Sequence, residues 1–225
     1  MLRPIAGRPL IEHVWRGVRR CQSVADVFVA TDSKEIADTV RSFGGQALMT
    51  SKKCPSGTDR VSEAIEKIGA WGAVNVQGDE PFISPASVDR LAEALRESDG
   101  KSVFTLVRPT RDVRAIHSPD VVKVAVTSDG RAQYFSRAAV PFATNKGTPY
   151  FEHVGIYAYP RTLLRKFVSW GPSQLERRER LEQLRFLEHN VTIRVLKTRT
   201  KSMGIDTMAD LKIASARMKR GSREW

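Results

Sequence analysis

From residue 26 onward, short unbroken apolar runs alternate with stretches in which apolar residues recur every three or four positions, the pattern of strands followed by helices. Residues 26–31 (Asp-Val-Phe-Val-Ala-Thr) predict a short buried strand, and Asp32-Ser33 supplies a cap for a helix over 34–43 that Gly44-Gly45 ends. A strand over 46–50, a loop over 51–57 and a helix over 58–68 come next, the last with Val61, Ile65 and Ile68 on one face. Ala73, Val74 and Val76 mark the inside of a strand that runs to Gln77. Ser84 caps a helix reaching about Glu97, and 103–107 is a further strand. Strands apolar on both faces argue for parallel pairing, so residues 26–107 read as a repeated βα unit of the doubly wound kind.

The texture changes after Pro109. Apolar runs at 121–126 and 132–136 flank Thr127-Ser128-Asp129-Gly130, where Asp-Gly suits the positive φ angles of a tight hairpin. A strand over 154–159 returns to the sheet, helices are expected over 161–168 and 174–188, and a strand over 191–196 precedes a last helix over 207–219. The fold class is therefore α/β with a mixed sheet.

Composition narrows the class of function. The 225 residues suit one domain with a sizeable core. No apolar run approaches the ~20 residues of a membrane span, and Met1-Leu2-Arg3-Pro4 starts nothing like a secretory signal, so a cytoplasmic protein without a membrane partner is expected. Cys21 and Cys54 stand apart without metal-ligand neighbours and read as inert thiols. Of the net charge of +12, residues 161–225 carry +9, from 16 Lys and Arg against 7 Asp and Glu. These charges fall on several elements without an RNA-binding or zinc-finger signature, so no nucleic-acid partner is expected and attraction of anionic substrates accounts for them.

Several segments carry chemistry. Asn75-Val76-Gln77-Gly78-Asp79-Glu80-Pro81 ends a buried strand in a glycine and two carboxylates; Gly78 permits a tight turn and Asp79 offers hard oxygen ligands suited to magnesium, although an acidic turn would read the same. Ser56-Gly57-Thr58-Asp59-Arg60 exposes backbone N–H groups at a helix start, for an anion, a base edge or an ordinary cap. His153 and Tyr157 share one strand face, as a core pair or as site residues. Glu182, Gln183 and Arg185 interrupt Leu181, Leu184 and Leu187 and read by periodicity as a solvated helix face. Asp206, in Gly204-Ile205-Asp206-Thr207, is a cap or a second metal ligand.

In their order along the chain, these segments together with Val29-Ala30-Thr31-Asp32, Met49-Thr50-Ser51, Tyr134-Phe135-Ser136-Arg137, His153-Val154-Gly155-Ile156-Tyr157 and Leu181-Glu182-Gln183-Leu184-Arg185 resemble the 3-deoxy-manno-octulosonate cytidylyltransferases, or CMP-Kdo synthetases. Val122-Lys123-Val124 and Trp170-Gly171-Pro172-Ser173 look like that family too, and the match runs from about residue 5 to 211. The resemblance implies a Rossmann-like nucleotidyltransferase fold with an inserted antiparallel sugar-binding and dimerisation region. Within a single domain over 1–225, residues to about 109 would bind the nucleotide, about 110–200 the sugar, and 201–225 would carry a metal-ligand loop and a C-terminal helix. It implies transfer of CMP from CTP to the sugar acid Kdo with release of pyrophosphate, activating Kdo for lipopolysaccharide assembly, in a cytoplasmic homodimer. Asp79 and Asp206 would hold Mg2+; Ser56, Gly57, Arg60, Gln77 and Asp79 would bind CTP; Arg137, His153, Tyr157, Glu182 and Gln183 would face the sugar acid. A synthetase acting on sialic acid or an amino variant of Kdo is the alternative within enzymes.

One departure is large. The family opens with a hydrophobic strand, a Pro-Ala-Arg turn and a Ser-x-Arg-x-Pro-Gly-Lys-Pro loop that cradles the triphosphate, whereas residues 2–14 match only the stretch C-terminal to that loop. Arg3 and Arg8 lie beyond the motif and are not assigned its role. The expectation is a native protein longer at its start; the other readings are a binding relative without catalysis, or another segment in the loop's place. Without the strand, its neighbours should expose their edges.

Overall fold

The computed structural model of the chain describes residues 1–144, 147–201, 203–205 and 207–221. A two-residue ribbon, β1 (Pro4–Ile5) against β2 (Arg8–Pro9), turns through Ala6 and Gly7 at positive φ and leads into α1 (Leu10–Val18). Then come β3 (Phe28–Thr31), α2 (Lys34–Ser42), β4 (Gln46–Met49), α3 (Gly57–Ile68), β5 (Gly72–Asn75), α4 (Pro85–Arg96) and β6 (Ser102–Thr110). The expected caps form: the Ser33 hydroxyl accepts from the Ile36 N–H and the Ser84 hydroxyl from the Ser87 N–H, each contributing about 1 kcal/mol. Beyond them lie α5 (Val113–His117), β7 (Lys123–Val126), β8 (Ala132–Ser136), β9 (Tyr150–Pro160), α6 (Arg161–Trp170), α7 (Gln174–Glu179), α8 (Leu184–Glu188), β10 (Thr192–Lys197) and α9 (Met208–Gly221).

The mixed sheet is organised around β9. β6 runs antiparallel along one edge, while the other edge is divided: β7 pairs with Phe151 and Glu152, and β5 pairs with residues 157–160. β10 adds in parallel to β6, and β8 adds antiparallel to β7. This corrects the parallel order expected for residues 26–107, because β9 is an 11-residue strand that lies between β5 and β6 and runs against both. Successive residues of β6 serve opposite faces, as a pleated strand dictates. Val103 and Val107 pack with Phe135, Leu164 and Phe186 from the α6 and α8 side, and Phe104 and Leu106 pack with Leu91 and Leu95 of α4.

β3 and β4 pair in parallel as a separate two-stranded sheet. Among the described residues, the second edge of β3 and the second edge of β5 are hydrogen-bonded to no strand. Phe28, Val29, Ala30, Ala73 and Val74 are accordingly only half-buried, where a central α/β strand would be sealed on both faces.

The helix expected over 174–188 is two helices. Arg180 closes α7 in the left-handed region, at φ 56°, and residues 181–183 turn back before α8 begins. The expectation of a solvated face fails here for Gln183 and Arg185, which are 6% and 1% exposed. Arg185 forks onto Glu176 with bonds of 2.7 and 2.6 Å, donates at 3.0 Å to the Phe167 carbonyl, and lies 3.6 Å over the Phe167 ring. Glu176 also accepts from the Ser173 N–H in the capping box of α7. The buried charge is thus matched on every side, which makes its burial tolerable.

Removing one partner of this pair leaves the other charged and buried. Arg185→Leu is expected to lower the unfolding free energy by about 3–5 kcal/mol, and Glu176→Leu/Arg185→Leu to recover part of that loss. Urea unfolding of both variants checks this; a single-variant loss below about 1 kcal/mol would contradict it.

Candidate active site

The two partners on the divided edge of β9 leave a gap in its pairing between them, a candidate crevice. β5 ends with Asn75 opposite Tyr157, β7 begins with Lys123 opposite Glu152, and residues 153–156 lie between. The carboxyl end of a strand at such a switch is where open α/β sheets take ligands.

Opposite this gap β9 carries a bulge. Tyr157 pairs with Thr105 and His153 with Val107, so four residues of β9 face two steps of β6. In a regular strand His153 and Tyr157 would stand about 13 Å apart along one face. Here their ring centroids are 5.2 Å apart, and Phe135 meets His153 edge-on at the same distance. Thr105, wholly buried, fills the bulge: its hydroxyl lies 2.8 Å from the Ile156 carbonyl and 3.0 Å from His153 Nε2.

Although part of His153 reaches solvent, its ring is enclosed by aromatics and desolvation pushes its pKa down to about 3. Tyr157 stacks on Tyr159 at 5.4 Å. Burial, together with the neighbouring Tyr159 and the Glu182 carboxylate, raises the Tyr157 pKa far above that of an ordinary phenol, so it is a neutral hydroxyl. The Tyr157 hydroxyl and Gln183 Nε2 are both buried without a hydrogen-bond partner among the described residues. Trp15 Nε1 and Arg108 Nε share that condition elsewhere in the chain. Native interiors rarely leave such groups unsatisfied unless a water or ligand completes them.

The nucleotide candidates lie alongside. Ser56 caps α3, accepting from the Asp59 N–H at 3.2 Å and donating to its carboxylate at 2.5 Å. The Gln77 amide is 3.8 Å from where a Gly57 Cβ would stand, so Gln77, exposed at the end of β5, flanks that helix start. Thr58 N–H donates to Glu182 at 3.3 Å, joining the helix start to the crevice. Arg60 ties together the ends of β3 and β4, donating to Thr50 at 2.5 Å and pairing with Asp32 at 3.2 Å. Asp79 sits in the turn after β5, and its carbonyl accepts from the Ile205 N–H at 3.0 Å, which brings the 203–205 segment to that turn. Asp206 lies outside the described residues.

Arg137 has other partners. Its guanidinium donates to the carbonyls of Glu179 at 3.0 Å and Pro119 at 2.8 Å, and neither bond reaches His153, Tyr157, Glu182 or Gln183. Lys123, 0% exposed, clips the same loop by donating to the carbonyls of Ser118 at 2.7 Å, Val121 at 2.6 Å and Arg137. Motif reading missed Thr105, and named Lys123 only within the family-like segment Val122-Lys123-Val124, without a role. The usable signal was a lone polar residue inside an apolar strand, Val103-Phe104-Thr105-Leu106-Val107 in one case and Val121-Val122-Lys123-Val124 in the other.

Comparison with known proteins identifies the fold and the family. The chain is 37% identical, with a TM-score of 0.92 over 97% of its length and 91% of the other, to the solved structure of CMP:2-keto-3-deoxy-manno-octonic acid synthetase complexed with CTP. A nucleotidyl transferase from Methanothermobacter thermautotrophicus, 17% identical over 97% of this chain and 84% of that one at a TM-score of 0.61, shares the fold. The architecture is that of the Rossmann-like nucleotidyltransferases with a mixed sheet. Residues 1–193 match the cytidylyltransferase family profile. The 3-deoxy-manno-octulosonate cytidylyltransferase of Geobacter sulfurreducens is 41% identical over 97% of this chain and 92% of its own. The chain belongs to the cytidylyltransferases and, within them, to the 3-deoxy-manno-octulosonate group.

The neutral burial of His153 has a pH signature. The unfolded ring binds a proton below about pH 6.5 and the folded ring only near 3, so the stability that burial adds is complete above 6.5 and is lost as pH falls toward 3. Between pH 6.5 and 4 the unfolding free energy should fall more steeply in the native protein than in His153→Gln, by up to about 1.4 kcal/mol per pH unit. Equal slopes in denaturant melts across that range would contradict the assignment.

Proposed function

We propose that this chain transfers CMP from CTP to the anomeric hydroxyl of 3-deoxy-D-manno-octulosonate (Kdo), releasing pyrophosphate. The observation that carries the reading is the pair of unsatisfied buried groups, the Tyr157 hydroxyl beside neutral His153 and Gln183 Nε2 next along the chain from Glu182, whose charge acts on Tyr157. A polyhydroxylated acid supplies the acceptors and donors such a wall needs. Glu182 then links that wall to the start of α3, where Ser56, Gly57 and Gln77 would receive the cytidine.

In the reaction the sugar hydroxyl oxygen forms a bond to the α-phosphorus of CTP, the bond from that phosphorus to the bridging oxygen breaks, and the electron pair leaves on pyrophosphate. The hydroxyl proton passes to solvent or to the leaving phosphate. Such a displacement depends chiefly on positioning and charge stabilisation, so no covalent nucleophile is required of the chain. Arg137, oriented by two carbonyls, keeps N–H groups for the sugar carboxylate. Asp79, with Asp206, would hold Mg2+; the fit rests on hard carboxylate oxygens and on the Ile205 to Asp79 backbone bond that joins the two segments. When bound, the ion would neutralise phosphate charge. Homodimerisation belongs to the same reading and is supported by Phe142 and Val113, exposed at 89% and 67% in the region around the antiparallel strands. So do a cytoplasmic setting and supply of activated Kdo to lipopolysaccharide assembly.

Asp79→Asn tests the metal assignment. Losing a ligand worth several kcal/mol should lower the rate of pyrophosphate release with CTP, Kdo and magnesium by about 100-fold or more while the circular dichroism spectrum is unchanged. A near-normal rate would remove Asp79 from the site.

A further inference from the structure

The chemistry of the crevice depends on which nitrogen of His153 carries the proton. A neutral imidazole has one N–H donor and one bare acceptor, and the partner of one nitrogen fixes the role of the other. The partner here is Thr105. Its oxygen lies 3.0 Å from His153 Nε2, 2.8 Å from the Ile156 carbonyl and 3.4 Å from the Val154 carbonyl.

The hydroxyl has a single hydrogen. A carbonyl can only accept, and two oxygens held 2.8 Å apart without a hydrogen between them repel one another, so that hydrogen belongs to the Ile156 carbonyl. The Thr105 oxygen is then an acceptor toward Nε2, which must carry the imidazole proton. We infer that Thr105 is a positioning residue that locks His153 in its Nε2–H tautomer, leaving Nδ1 as an unprotonated acceptor for a hydroxyl of the sugar acid.

Two further observations favour this arrangement. Among the described residues no hydrogen bond engages Nδ1, whereas the backbone of His153 is fixed by its N–H to the Val122 carbonyl at 2.8 Å. The bulge that brings His153 beside Tyr157 contains the carbonyls Thr105 engages, so one hydroxyl both fills the bulge and sets the ring. Neutral His153 is consequently an acceptor that selects a hydroxyl of the sugar and gives nothing to its carboxylate. Tyr157, whose hydroxyl is unsatisfied among the described residues, stands beside it as the group able to donate.

The ligand half of this inference rests on the sugar-acid reading of the crevice; the tautomer half does not. Nitrogen NMR of the full chain, with 15N-labelled histidine, distinguishes a protonated from a bare ring nitrogen without any catalysis. The native protein and Thr105→Ser should show His153 with Nε2 protonated and Nδ1 bare, and Thr105→Val should lose that preference. Nδ1–H in the native protein, or an unaltered tautomer in folded Thr105→Val, overturns the inference. If Thr105→Val does not fold, the native protein and Thr105→Ser still decide it.

Kinetics then address the ligand. Thr105→Val should raise KM for Kdo by roughly tenfold, the worth of one hydrogen bond, with KM for CTP unchanged and Thr105→Ser within about twofold of native. Equal effects on both substrates would overturn the assignment of Nδ1 to the sugar. Should the native chain neither turn over Kdo nor show a change in the Nδ1 signal when Kdo is added, the sugar-acid reading and the ligand half fall together, while the tautomer result stands on its own spectrum.

Discussion

The bulge in β9, held by a single buried threonine hydroxyl, is the constraint on which the rest of the site depends. It compresses residues 153–157 against two steps of β6, so that His153, Tyr157 and Thr105 meet within one layer of side chains. Without it the same residues would lie on the same face yet too far apart to touch one ligand group together. The bulge also falls where the far edge of β9 passes from β7 to β5, so the strand is irregular at the point where its neighbours leave room.

Around that point, charges are matched by fixed partners. The Arg185 and Glu176 pair ties together α8 and α7, the helices on either side of the turn that carries Glu182 and Gln183, and Lys123 draws three carbonyls around the end of β8 from which Arg137 projects. Both arrangements bury a cation only where carboxylate or carbonyl oxygens surround it, which is what makes such burial tolerable in a small domain. They also orient polar side chains that motif reading assigns to the sugar acid. The buried groups left unsatisfied, the Tyr157 hydroxyl and Gln183 Nε2, are thereby held in place ahead of any ligand, and preorganisation of this kind lowers the entropic cost of binding.

Much of this was legible in the chain, for identifiable reasons. Helix starts at Ser33 and Ser84 are set by local capping and periodicity and form as expected, and of the readings left open at Ser56 the cap is the one that forms. The family resemblance rested on ordered motifs and is upheld by relatives about 40% identical over most of the chain. The place of β9 between β5 and β6 was hidden because strand order is a non-local choice that no window of residues contains. The break at Arg180 was hidden because Leu181, Leu184 and Leu187 keep a helical spacing whether the chain continues or turns back, and a left-handed arginine leaves no compositional mark. Arg185 could not be recognised as buried until Glu176 and Phe167 were seen to surround it. Among the described residues β3 and β5 each keep one edge that pairs with no strand, and β3 and β4 form a sheet separate from that of β5.

The central claim is that one crevice joins a cytidine subsite at the start of α3 to a sugar-acid subsite on β9. Incubating the full chain with CTP, magnesium and an equimolar mixture of Kdo and N-acetylneuraminic acid, and identifying the nucleotide product by mass, tests it most directly. The account predicts CMP-Kdo and pyrophosphate in equal amounts. CMP-linked sialic acid as the main product, or no nucleotide sugar from folded protein, would contradict it.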